Sequence, residues 1–122
     1  LNEKSGLVMT SAFKAISDND KKRGVDMAKQ LEPTAKGDIL NAIATFYKED
    51  GSAQYNSFFK SAIGKAKGFD RYNLIDTYGK YLKKQEEKEM TEGVVVLKEI
   101  GQHATSWYIR YAGVNALDGL EG

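Results

Sequence analysis

Few side chains in this sequence are of the kinds that usually carry catalysis. His103 is the single histidine and cysteine is absent from the 122 residues. That removes cysteine nucleophiles, disulfides, thiolate zinc sites and any zinc site built on two or three imidazoles. His103 lies in Gly101-Gln102-His103-Ala104, with no His-Glu-x-x-His pattern around it. A general acid or base needs a partner that fixes its tautomer. Nothing close in sequence supplies one, so a structural or solvent-exposed histidine is expected.

Carboxylates are more numerous. Glu86, Glu87, Glu89 and Glu92 crowd one segment, and Asp18, Asp20, Glu49 and Asp50 mark two turns. A catalytic carboxylate needs burial or a close like charge to shift its pKa. These lie among lysines and turn residues, which fits helix caps and a solvated helix face. No segment alternates acidic residues over twelve positions around a central glycine, as a calcium-binding loop requires. Gly64 and Gly68 flank Lys65-Ala66-Lys67, but the spacing of a phosphate-cradling loop and the strand before it are both missing. A helix-to-helix turn with glycine supplying the positive φ is the expectation there. Lys21, Lys22 and Arg23 form a second basic cluster whose charge Asp18 and Asp20 nearly cancel. No catalytic, cofactor-binding or metal residue is assigned in this chain.

The aromatic residues are the remaining candidates. Seven Tyr, five Phe and one Trp are many for a small domain. Phe46, Tyr47, Tyr55, Phe58 and Phe59 gather around one turn, and Trp107, Tyr108 and Tyr111 share one predicted helix. Core packing with tyrosine hydroxyls reaching the surface is one reading. The other is an aromatic face that contacts a peptide or another domain. The phenylalanines favour the core; the tyrosines fit both.

The elements that must position these residues are helical. There is one proline, Pro33, and little strand-like alternation. Val8, Ala12, Ala15 and Ile16 form the stripe of a first helix from Ser5 to Ser17, ending at Asp18-Asn19-Asp20. Val25, Ala28 and Leu31 line a second helix that stops before Pro33. Ile39, Leu40, Ile43, Ala44, Phe46 and Tyr47 give a third from Gly37 to Glu49, with Ser52 as the N-cap of the next. This fourth helix carries Tyr55, Phe58, Phe59, Ala62 and Ile63 and closes at Gly64. The fifth, Asp70 to Lys84, has two apolar stripes. Gln85 to Glu89 is either a linker or the exposed start of a sixth helix, which continues through Met90, Val94, Leu97 and Ile100 to Gly101. The seventh begins near Thr105 or Ser106.

Helix starts near Ser5, Gly37, Asp70 and Thr105 bring a pair about every 32 to 36 residues, close to the period of stacked helical hairpins. The expected fold is therefore all-α: antiparallel hairpins stacked as a HEAT- or armadillo-like array of about seven helices, in one domain over residues 1–122. A closed antiparallel bundle has the same local pattern.

Hydrophobic residues make up 41% and charged residues 29% of the chain, an ordinary globular composition. The formal net charge of +1 gives no support for a nucleic-acid or membrane-surface partner. The longest apolar run, Val94 to Leu97, is far below the roughly 20 residues of a membrane-crossing helix. No signal-peptide pattern stands near Leu1, and the missing initiator Met leads us to expect a processed product or a piece of a longer protein.

Two stretches carry a resemblance. One is Asp50-Gly51-Ser52-Ala53-Gln54-Tyr55-Asn56-Ser57-Phe58-Phe59 with Phe69-Asp70-Arg71-Tyr72 and Thr77-Tyr78-Gly79-Lys80-Tyr81-Leu82. The other is Ala104-Thr105-Ser106-Trp107-Tyr108-Ile109-Arg110-Tyr111-Ala112. They resemble the C-terminal HEAT-like helical domain of zinc aminopeptidases of the aminopeptidase N family, bacterial forms of the Bacteroidetes type in particular. Ser5-Gly6-Leu7-Val8 through Ser17-Asp18-Asn19-Asp20 is similar to the repeat before it. The resemblance implies a non-catalytic C-terminal piece that packs on the catalytic domain of the same parent chain and helps wall off the peptide substrate's cavity. The family holds zinc with a His-Glu-x-x-His helix and a downstream Glu, and grips the substrate amine with Gly-x-Met-Glu-Asn. None of these stands in this sequence, so the zinc belongs to the parent's catalytic domain. The alternative is a freestanding HEAT-like module that binds a partner protein.

Overall fold

Helix boundaries follow local signals, with three departures taken up below and two smaller ones: the fourth helix does not close at Gly64 but runs to Lys65, and Ser52 caps a short 3-10 turn, Ala53–Tyr55, rather than that helix. The computed structural model describes the backbone of residues 3–121 and the side chains from residue 8 onward; Leu1, Asn2 and Gly122, on which the expectations about the termini partly fall, lie outside the described residues. Among the described residues seven α-helices succeed one another: α1 (Glu3–Asn19), α2 (Lys21–Leu31), α3 (Gly37–Asp50), α4 (Asn56–Lys65), α5 (Gly68–Leu82), α6 (Glu87–His103) and α7 (Trp107–Glu121). Among the described residues there is no strand, and the protein is all-α.

Asp20 alone separates α1 from α2. Its backbone is extended and its carboxylate accepts the N–H of Arg23 at 3.2 Å, which satisfies one of the free donors of the first turn. After α3, Gly51 takes φ +76° and donates its N–H to the Tyr47 carbonyl at 2.9 Å, the left-handed stop that glycine makes easy. Gly68 likewise turns α4 into α5 at φ +59°, as expected of that segment. Glu86 takes the N-cap position of α6 without a side-chain capping bond and Glu87 begins the helix, so the acidic run is the exposed start of a helix and its charge suits the positive end of the dipole.

α2 stops at Leu31, before Pro33 as expected, and the first departure is in how it stops. The chain passes from α2 into a short 3-10 turn, Glu32–Thr34, and Glu32 keeps helical dihedrals. A proline at the start of a new turn gives up no N–H that the turn needs. The second is at Gly101, which does not end α6; the helix runs on to His103. The third is the face of α1. Val8, Ala12 and Ala15 are exposed and Ile16 is half-buried, whereas Thr10 and Phe13 are buried. A Phe side chain removes far more apolar area from water than alanines do, so the single aromatic sets the inward face.

Two compact units result, one through Phe46 and the other from Tyr47 on, with the division falling inside α3. In the first unit α1 packs on α2. Gly24 makes this possible, since a Cβ there would stand 2.8 Å from Ser17 Cβ and 3.1 Å from Phe46. Phe13 meets Phe46 edge-on at 5.6 Å.

In the second unit α7 packs extensively on both α5 and α6. Phe69 faces Tyr108 near the N-terminal ends of α5 and α7, and Gly79 faces Ala116 further along both; the two helices therefore run parallel. α6 runs back between their ends, with Gly93 pressed against Leu82 and Gly101 against Gly113. The core of this unit is Tyr47, Tyr55, Phe59, Ile63, Leu74, Ile75, Tyr78, Tyr81, Leu82, Leu97 and Ile109.

Candidate docking surface

The tyrosines divide into two populations, and the division locates the surface. Tyr47, Tyr55, Tyr78 and Tyr81 are fully enclosed. Tyr47 stacks on Tyr55 at 3.9 Å with nearly parallel rings, and Phe59 sits 5.3 Å from Tyr78 and 4.9 Å from Tyr81. Their hydroxyls do not all seek water. Tyr78 Oη donates to Asn56 Oδ1 at 2.6 Å, Tyr81 Oη to the Ser52 carbonyl at 2.6 Å, and Tyr55 Oη to Asp50 Oδ2 at 2.7 Å. Burial is the main force pushing the Tyr78 hydroxyl well above the usual phenol range, with the neighbouring Tyr81 and Glu92 adding to it. Tyr81 is pushed up to about 12, again chiefly by burial. This population is structural.

Asn56 is used at both ends. It accepts from Tyr78 and donates through Nδ2 to Glu92 Oε1 at 3.4 Å, and Glu92 takes a charged hydrogen bond from Lys60 Nζ at 2.8 Å. One chain of contacts therefore ties α4, α5 and α6. The Lys60 hydrogen bond and charge hold the Glu92 carboxyl below its ordinary value. An ionised, salt-bridged carboxylate is poorly suited to general acid or base work at neutral pH. Of the four crowded glutamates only Glu92 enters this network; Glu86 and Glu87 are exposed and Glu89 is half-buried. His103 stands exposed at the last position of α6. Asp20 and Asp50 serve the cap and the turn already described, while Asp18 and Glu49 are exposed. The structure brings none of the expected carboxylates together with His103. Lys65 and Lys67 are exposed on either side of the α4–α5 turn, and Lys21, Lys22 and Arg23 are exposed at the start of α2. Among the described residues no three His, Cys, Asp or Glu side chains gather to hold a metal ion, and no helix is long and apolar enough to cross a membrane.

The second population lies on the surface. α7 buries Ile109, Ala112, Gly113 and Ala116. On the opposite face, Trp107, Tyr111 and Val114 recur at i, i+4 and i+7, and all three are exposed, Trp107 by 72%. At the N-terminal end of this stripe Trp107 meets Tyr108 at 6.2 Å; Tyr108 in turn approaches Tyr72 at 6.4 Å and Phe69 at 6.5 Å. Phe69 is 80% exposed. The result is a continuous patch of four aromatic rings from the starts of α5 and α7, prolonged along α7 by Tyr111 and Val114. Arg110 is anchored beside it, its guanidinium donating to the carbonyls of Ala104 at 2.8 Å and Thr105 at 3.1 Å. Exposed aromatic surface of this extent is characteristic of faces that meet another macromolecule.

Sequence periodicity alone does not rank the two faces of α7. The distinguishing signal is residue size. Gly113 and Ala116 are the residues that allow α7 to approach closely, for a Cβ on Gly113 would stand 2.9 Å from the Gly101 nitrogen, and Ala116 abuts Gly79. The small-residue stripe faces inward because it fits there, and the bulky stripe is left outside. No protein-family model matches the chain, and neither curated proteins nor solved structures give a match.

Proposed function

We propose that the chain is a non-catalytic C-terminal helical-repeat domain of a zinc-dependent aminopeptidase, packing on the catalytic domain and walling the substrate cavity. The observation that carries this reading is the outer face of α7. A self-sufficient helical array is closed by helices with polar outer faces. Here the last helix presents Trp107, Tyr111 and Val114 to solvent, and the first presents Val8, Ala12 and Ala15. Both faces suit contact with further protein. The parallel α5 and α7, with α6 returning between them, have the relation expected of successive stacked hairpins and support the HEAT-like arrangement. The resemblance in residues 50–59, 69–72, 77–82 and 104–112 suggests the family.

In this reading the chain contributes walls and no chemical groups. The zinc and its ligands lie in the parent's catalytic domain, and the role of the helices is to exclude water and bulky substrates and to move as the cavity opens. The coding sequence upstream of Leu1 tests the assignment. A His-Glu-x-x-His segment followed by a downstream Glu several hundred residues earlier is the expected result. An unrelated upstream domain overturns it and leaves the α7 face to a partner protein, the module alternative. The parent enzyme offers a functional test as well: carrying Trp107→Glu and Tyr111→Glu, it should lose its domain contact, read as protease sensitivity of the junction, while its zinc content is unchanged.

A further inference from the structure

We propose that in the chain by itself the outer face of α7 pairs with a second copy of the same face, in an antiparallel two-fold dimer centred between Tyr111 and Val114. The proposal rests on the reading of this face as an interface, and not on which domain covers it in a longer protein.

The exposed area matches what a dimer needs. Trp107 and Phe69, exposed as given above, together with Tyr111 at 55% and Val114 at 46%, present roughly 500 Å² of apolar surface, taking about 150–250 Å² for a whole aromatic side chain. A standard interface buries about 800 Å² per partner, and homodimer interfaces are about 65% non-polar. That amounts to about 500 Å² of apolar surface on each side, so the patch supplies what one half of such an interface needs. The composition suits it too, because Trp and Tyr anchors carry much of the affinity of protein interfaces.

Charge sets the direction of the pairing. Arg110 lies toward the N-terminal end of α7, and Asp118 and Glu121 toward its C-terminal end. A two-fold axis across the stripe makes the paired helices antiparallel, since an isologous contact must be self-complementary. Arg110 then stands near the acidic end of the partner helix, and the opposed helix dipoles attract. A parallel pairing would instead set like charge against like.

The test uses the chain as it is. Sedimentation equilibrium from low micromolar to sub-millimolar concentration should show a doubling of mass and no further growth. Trp107 is the only tryptophan, so its emission reports the face directly and should move to shorter wavelength as the dimer forms. Tyr111→Glu places a charge at the centre of the contact, keeps the reporter and changes an exposed residue. It should leave the mass at the monomer value, with emission independent of concentration and an unchanged far-ultraviolet circular dichroism spectrum. Val95→Glu alters an exposed apolar residue of α6 that lies two positions from each of the buried Gly93 and Leu97, on the side of α6 turned from them, and should keep the doubling. A wild-type monomer throughout overturns the proposal. So does growth beyond a dimer, the sign of a head-to-tail contact, and so does loss of the dimer in Val95→Glu. None of these outcomes touches the upstream-sequence test of the parent enzyme.

Discussion

Asn56 is where a single change should report most clearly on the polar chain inside the second unit. Its side chain is buried and joins Tyr78 to Glu92. In Asn56→Leu the Tyr78 hydroxyl, which has a 2.6 Å partner and no exposure, keeps its burial and loses its acceptor. Stranding a buried donor costs about 1–3 kcal/mol. Tyr78→Phe does the reverse, leaving Asn56 Oδ1 without its donor at a similar cost. The double variant removes both partners and leaves apolar groups of comparable shape, a change that is often close to neutral. The coupling should therefore be large: the double variant should be less destabilised than the sum of the singles by more than about 1 kcal/mol, well outside the 0.3–0.5 kcal/mol scatter of independent sites. Urea denaturation followed by far-ultraviolet circular dichroism gives the three free energies, and near-ultraviolet signals from the stacked tyrosines check that the second unit is being read. A shift in melting temperature of about 4–8 °C per kcal/mol is the thermal counterpart for a unit of this size. Additive singles and double would refute the reasoning, because the hydroxyl and the amide would then have been satisfied by other groups or by water.

Gly113→Ala should destabilise by about 1–3 kcal/mol, because the new methyl meets the backbone of α6 at 2.9 Å and 3.1 Å and main-chain atoms cannot rotate away. Gly64→Ala, in open space inside α4, should instead raise stability by up to about 1 kcal/mol; thermal denaturation of the pair checks both signs. Asp20→Ala removes the cap of α2 and should cost about 1 kcal/mol, read by the same melts. Stability should also fall at both ends of the pH scale. Glu92 has a folded pKa below its ordinary 4.5, so its contribution is present above that value and lost as pH drops through the depressed one; Glu92→Gln should flatten the acid limb of a urea-midpoint profile. Tyr81 has a folded pKa raised from 10.0 to about 12, so its contribution is present below pH 10 and declines as pH rises from there toward 12. Tyr81→Phe should weaken the alkaline decline, which Tyr78 continues; an unchanged limb in either variant would contradict the assignment.

The helices were legible in the sequence because their punctuation is local. Asp20, Gly51 and Gly68 act through their own backbone neighbours, and periodicity needs only one turn of context; Ser52, expected to cap the fourth helix, caps the short 3-10 turn Ala53–Tyr55 instead. Faces are set by competition, which is not local. Val8, Ala12 and Ala15 form as regular a stripe as any in the chain, yet Phe13 on the opposite side determines which way α1 turns. On α7 the same competition is decided by the closeness of Gly101 and Gly79, residues 12 and 37 positions upstream of Gly113 and Ala116. The tyrosines were divided for a similar reason. Tyr78 and Tyr108 are alike as residues, and only the partner that Asn56 provides, 22 positions away, lets the first be enclosed. The Glu92 contact was hidden by its company, four glutamates of which one meets Lys60 across 32 positions.

The two turns at residues 50–52 and 83–86 are stitched to each other. Gln85 donates to the Gly51 carbonyl at 2.9 Å, Lys84 to the Lys48 carbonyl at 3.0 Å, and Tyr81 to the Ser52 carbonyl at 2.6 Å. Trypsin-like proteases need several residues of chain to peel away and extend before they cut. Lys83 and Lys84 are exposed cleavage points by residue type, but freeing them means breaking ties that also hold the earlier turn in place. Lys65 and Lys67, on either side of Ala66, carry no such obligation to a distant segment. Of these two turns, limited digestion should therefore open the one between α4 and α5 first, and the α5–α6–α7 fragment should survive as the longer-lived product.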